Sequence, residues 1–160
     1  MIKVLSREKM VEHYKDNPND TTPVISIADI GFANSPVPEG HPNALILAFD
    51  DIRPYDVKHA LEHPYYFQEA MKRDLIYFDD DMAWNVIRFL QRQIFKGNED
   101  VMIHCYAGVS RSAAIALFID AYCPAFGEVS GVNLDDCRAN SYVFGKLVKV
   151  FKKEDYSFEY

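Results

Sequence analysis

Between an apolar run, Val101-Met102-Ile103, and a helical run, Ala113 to Tyr122, the chain carries His104-Cys105-Tyr106-Ala107-Gly108-Val109-Ser110-Arg111-Ser112. A strand that feeds a tight small-residue loop opening directly into a helix belongs to an α/β fold. That junction is also an anion site, because successive backbone N–H groups converge there and the helix dipole favours negative charge. Cys105 stands where it can attack an anion's central atom, and Arg111 can clamp two of its oxygens. The loop reads as a phosphate-handling nucleophile.

The chemistry asks for these residue types. A thiol attacks as its thiolate, which the loop amides, the helix N-terminus and Arg111 all favour electrostatically. His104 is expected to help through hydrogen bonding rather than by taking the proton. Gly108 lets the backbone turn without a side chain filling the pocket. Arg111 offers a planar fork that matches two phosphoryl oxygens, which lysine does not. The Ser112 hydroxyl is placed to stabilise a departing thiolate. Tyr106, Ala107, Val109 and Ser110 complete the substrate-binding loop. A buried cysteine and an unrelated surface arginine would explain a bare Cys–Arg pair, but not the agreement of the whole nonapeptide with one loop.

With those residues in place, the chain resembles the cysteine-dependent protein tyrosine phosphatases. The likeness is to the dual-specificity branch, whose loop reads HCxAGxSRS. Val24 to Asp29, Ala44 to Ile52 and Asn140 to Phe151 are similar to a small bacterial and phage-type member of that superfamily. The resemblance implies a single phosphatase domain over residues 1–160 with a mostly parallel sheet of about four to five strands flanked by helices. It also implies phosphotyrosine, with phosphoserine and phosphothreonine as further substrates, carried on a protein or peptide. The loop and Arg111 supply the charge that magnesium supplies elsewhere, so neither metal nor cofactor is expected.

A general acid must protonate the leaving oxygen. Ligands of such sheets gather beyond the C-terminal strand ends, so the carboxyl belongs on a loop at that edge. Asp51, just after the run Leu45 to Phe49, is the preferred acid and Asp50 the fallback. Asp74 competes through its spacing to Cys105, which is close to that of compact dual-specificity phosphatases. Asp79, Asp80 and Asp81 open a helix, where carboxylates satisfy free N–H groups without any catalytic role. Residues 53–78 depart from the family pattern as an aromatic-rich insertion, either a substrate platform or a surface excursion pinned by its rings.

Composition bounds the alternatives. The chain has 160 residues, 49% of them hydrophobic, a size and balance that suit one folded domain. A net charge of −7 argues against nucleic-acid and membrane-surface partners. No apolar run reaches membrane-spanning length, no signal-peptide pattern opens the chain, and its three cysteines lack paired spacing; a cytoplasmic location is expected. The sequence sets no oligomeric state.

Further elements follow from periodicity: a strand at Ile2 to Leu5, and a helix capped by Ser6 running to about Tyr14 with Met10, Val11 and Tyr14 on one face. Next come a turn at Asn17 to Asp20, a strand at Val24 to Ile27, a loop over 31–43 and a strand at Ala44 to Phe49. A helix from Asp81 to Phe95 buries Ala83, Val86, Ile87, Leu90 and Ile94, and one or two helices fill 132–153. His59 and His63 suggest a solvated helix face rather than a metal pair. Cys123 and Cys137 read as small buried hydrophobes, Trp84 as a packing or interface residue, and His13 and His41 as polar surface. Two other classes fit the loop less well: a phosphoprotein-binding module without turnover, and a sulfur-transfer or arsenate-reducing enzyme. A non-protein phosphate ester is the alternative substrate, although the loop lacks the lysines expected for inositol lipids.

Overall fold

A computed structural model describes residues 1–30, 35–52, 75–135 and 138–153. Asp74, His59, His63, Cys137 and the greater part of the expected insertion lie outside the described residues. The elements follow as β1 (Ile2–Ser6), α1 (Arg7–Asp16), β2 (Val24–Ala28), β3 (Ala44–Ala48) and α2 (Asp80–Phe95). After them come β4 (Val101–Cys105), α3 (Arg111–Tyr122), a 3-10 turn (Pro124–Phe126), β5 (Val129–Ser130) and α4 (Ser141–Lys153). The five strands form one sheet in the order β3-β2-β4-β1-β5, and every pairing is parallel. The α/β class read from the sequence is therefore the observed one, with the sheet wholly parallel.

Side chains alternate across the strands and divide the core in two. Ile2, Val4, Ile25, Ile27, Val101, Ile103 and Cys105 join the cluster formed with α2, α3 and α4. Leu5, Val24 and Met102 face the other way and pack with Met10 and Tyr14 of α1. Among the described residues, one helix thus covers one face of the sheet and three cover the other. β1 and β4 are neighbours in register, Ser6 opposite Cys105, yet β1 leads to α1 on one face and β4 leads to α3 on the opposite face. Divergence of two adjacent loops to opposite faces opens a crevice at the C-terminal edge, the place where α/β sheets bind ligands.

The helices start where the sequence provides caps. Ser6 accepts the Lys9 N–H at α1, and Asp79 accepts the Met82 N–H at 2.8 Å to open α2, with Asp80 and Asp81 in its first turn. The acidic run is thereby accounted for structurally. α1 runs two residues past Tyr14, and Val11 is exposed because it lies off the stripe that Met10 and Tyr14 bury. Among the described residues of the tail, 141–153 are helical and bury Val143, Leu147, Val150 and Phe151.

Two polar-surface expectations are corrected. The His13 ring nitrogen lies 2.6 Å from Asp20 Oδ2, and Tyr14 sets its ring edge-on to both His13 and His41. His41 Nδ1 accepts the Asn43 N–H, so both histidines brace the turn between α1 and β2. Phe78, at the end of the expected insertion, is buried against Phe49 with ring centroids 4.9 Å apart. Trp84 packs on the main cluster with the Arg88 guanidinium 5.1 Å above its ring.

Candidate active site

The loop from Cys105 to Arg111 occupies the crevice between β1 and β4. Its seat is set by close approach: Gly108 has φ +76°, and a Cβ there would fall 2.8 Å from the backbone of Leu5 and Ser6. Glycine is required both for the left-handed conformation and for contact with the β1–α1 junction. The Arg7 N–H donates to the Tyr106 carbonyl at 3.0 Å and ties the two diverging loops together.

Cys105 is buried at the base of this loop. The Gly108 N–H donates to its sulfur at 3.3 Å, and Ser112 Oγ lies 3.1 Å away on the first turn of α3. A backbone N–H and a hydroxyl thus converge on one sulfur atom. Ser110 is the N-cap residue of α3, but its hydroxyl makes no capping bond to the helix. It donates instead to Asp51 Oδ1 at 2.8 Å, leaving the helix N-terminus open on the loop side. Tyr106 and Val109 are exposed on the rim and Gly108 is buried beneath them.

Arg111 is 3% exposed and gathers three strand ends. One terminal nitrogen donates to the Phe49 carbonyl at 2.9 Å, beyond β3, and the other meets Asp29 Oδ1 at 2.6 Å, beyond β2. Among the described residues, its buried Nε–H has no partner. A guanidinium has five N–H donors, so these two bonds orient the group while leaving donors for an anion.

His104 is buried beneath the loop. Burial holds its imidazole down to about 4, with the charges of Arg7 and Arg111 adding to the effect, so the ring is neutral at pH 7. Its Nε2 lies 2.7 Å from Ser26 Oγ, which in turn lies 2.7 Å from Ser35 Oγ. The Cys105 carbonyl facing Nδ1 can only accept, so Nε2 accepts from Ser26 and Ser26 in turn accepts from Ser35. Nδ1 then carries the proton and points to the Cys105 carbonyl at 3.4 Å. The ring braces the loop's backbone from below.

The three candidate acids fall in different places. Asp51 is exposed at the loop's edge, with Ser110 Oγ and Asn140 Nδ2 both donating to its Oδ1 at 2.8 Å. Asp50 is occupied elsewhere: its N–H donates to the Ile76 carbonyl, and its Oδ2 accepts the Ile76 N–H at 2.9 Å. Asp74 is outside the described residues. Three residues in the site escaped sequence reasoning: Asp29, Ser26 and Asn140. Asn140 carried a usable signal, since a polar residue ahead of the periodic run Val143 to Phe151 marks a helix start. Asp29 and Ser26 carried none, because only the sheet order brings β2 beside β4.

Burial pushes the Cys123 thiol well above its ordinary range, leaving it inert beside α3. Among the described residues, no three His, Cys, Asp or Glu side chains are grouped to hold a metal ion, and no helix is long and apolar enough to cross a membrane. No family model and no curated protein matches the chain.

Proposed function

We propose that this chain is a phosphomonoester hydrolase of the tyrosine and dual-specificity type, working through a phosphocysteine on Cys105 without metal or cofactor. The observation that carries the reading is the convergence on one sulfur of the Gly108 N–H and the Ser112 hydroxyl, at a helix N-terminus, with the buried Arg111 alongside. An anion placed over the loop meets backbone donors, helix dipole and guanidinium together, the combination that stabilises the equatorial charge of phosphoryl transfer.

In the first step the Cys105 thiolate forms an S–P bond as the ester P–O bond breaks. Asp51 passes its proton to the departing oxygen. In the second step the Asp51 carboxylate takes a proton from water, and the water oxygen bonds to phosphorus. The S–P bond breaks with its electron pair returning to sulfur, where Ser112 donates a hydrogen bond. Orthophosphate leaves and the enzyme is restored.

The substrate in this reading is a phosphorylated protein or peptide, with phosphotyrosine favoured because the exposed Tyr106 and Val109 give the rim an apolar, aromatic character. Cytoplasmic location and the absence of nucleic-acid or membrane partners belong to the same proposal. Its test is hydrolysis of p-nitrophenyl phosphate and a phosphotyrosine peptide in EDTA by the wild type and Cys105→Ser. Turnover by the wild type alone is the expected result. Phosphopeptide binding with no turnover would overturn it in favour of a recognition module.

A further inference from the structure

We propose that Asn140 is a positioning residue that fixes which oxygen of Asp51 carries the transferable proton; this rests on Asp51 acting as the acid. Asn140 is fully buried and sits immediately before α4. Its Oδ1 accepts the N–H groups of Tyr142 at 3.1 Å and Val143 at 3.2 Å, the bonds of a helix N-cap. With that oxygen committed to the helix, the amide cannot flip, and its NH2 group must face the other way. It faces Asp51, donating to Oδ1 at 2.8 Å.

A second bond reaches the same oxygen. Ser110 Oγ donates to Asp51 Oδ1 at 2.8 Å, and the Asn140 N–H donates to the Ser110 carbonyl at 3.1 Å. Asp51, Ser110 and Asn140 therefore close a ring that joins the acid, the anion loop and the start of α4. An amide NH2 has only hydrogens to offer, so the oxygen it faces cannot carry one. When the carboxyl is protonated, the proton sits on Oδ2.

An exposed aspartate otherwise samples several rotamers and presents either oxygen. The ring removes that freedom. In the first step Oδ2–H gives its proton to the leaving oxygen; in the second, Oδ2 receives a proton from water. Oδ1 keeps its two hydrogen bonds throughout, so neither step requires the site to rearrange.

The discriminating variant is Asn140→Ser, which keeps an oxygen for the helix cap and loses the donor to Asp51. It is compared with the wild type, Asp51→Asn and the double variant. The wild type turning over both substrates is the starting point. Asn140→Ser is expected to lower kcat on a phosphotyrosine peptide about tenfold and on an activated aryl phosphate less than about twofold, because only the poor leaving group needs a well-placed proton. On the Asp51→Asn background the same substitution should add nothing.

Equal losses on both substrates, or a loss that adds to Asp51→Asn, would overturn the proposal while leaving the phosphatase reading standing. An inactive wild type would remove both. Should the serine variant fail to fold, Asn140→Thr likewise keeps an oxygen for the helix cap and lacks the amide donor to Asp51. It must show the same split between substrates for the proposal to stand.

Discussion

At the scale of single residues, the site depends on groups with little freedom to vary. Gly108 combines a left-handed φ with backbone neighbours 2.8 Å from where a Cβ would stand. Those neighbours belong to the β1–α1 junction and cannot yield as a flexible side chain would. Gly108→Ala is expected to cost about 2–4 kcal/mol and to abolish turnover together with anion binding. Denaturant unfolding and phosphate titration check it; a stable, active alanine variant would show that the loop is seated differently.

His104 makes the next residue-scale prediction. Burial first, then the nearby charges of Arg7 and Arg111, lowers it from 6.5 to about 4 in the folded chain. Below about pH 6.5 the unfolded chain binds a proton that the native ring refuses, so unfolding is favoured as the pH falls. The loss is complete near the folded value and amounts to ~3 kcal/mol. Unfolding free energies of the wild type and His104→Gln, measured between about pH 4 and 7, should therefore converge toward the acid end. Parallel curves would contradict the buried, neutral imidazole.

At the scale of elements, the carboxylates around the site sort by what they hold. Asp79 accepts the Met82 N–H and opens α2, so Asp79→Ala should cost about 1 kcal/mol in stability and leave kcat on a phosphotyrosine peptide unchanged. A loss of kcat on that peptide larger than on an activated aryl phosphate would move the acid from Asp51 to Asp79.

The elements also show what could be read from the chain alone. The strand, loop and helix around Cys105 were legible because every signal in them is local: an apolar run, small residues, then an apolar helix. The stripe Ala83, Val86, Ile87 and Leu90 was legible for the same reason. β5 was not, since two residues, Val129 and Ser130, make no period; their pairing with Ile2 and Lys3 is decided at a distance. Val11 was misjudged because one apolar side chain more than the buried face holds cannot be recognised without knowing where that face ends.

At the scale of the whole molecule, the surroundings of Cys105 follow from strand order. Placing β4 between β2 and β1 brings Ser26 to His104 and Asp29 to Arg111, and it sends the two loops beside Cys105 to opposite faces. None of those pairings is close in sequence, which is why the brace beneath the loop and the anchor of the arginine could not be anticipated. Asn140 reaches Asp51 from the start of α4, so the setting of that carboxylate depends on α4 docking correctly against the sheet. The loop around Cys105 was readable from nine consecutive residues; the contacts that set it in place are a property of the fold.

The most direct test of the account is to catch the intermediate. The Asp51→Asn variant, slowed in hydrolysing the thiophosphate ester, is mixed with an activated aryl phosphate labelled on phosphorus, whose leaving group departs without an acid, then quenched within one turnover and mapped by peptide. Labelled phosphorus is expected on the peptide that contains Cys105, and none in the Cys105→Ser protein. Turnover by the wild type with no label on Cys105, or with label on another side chain, would contradict it.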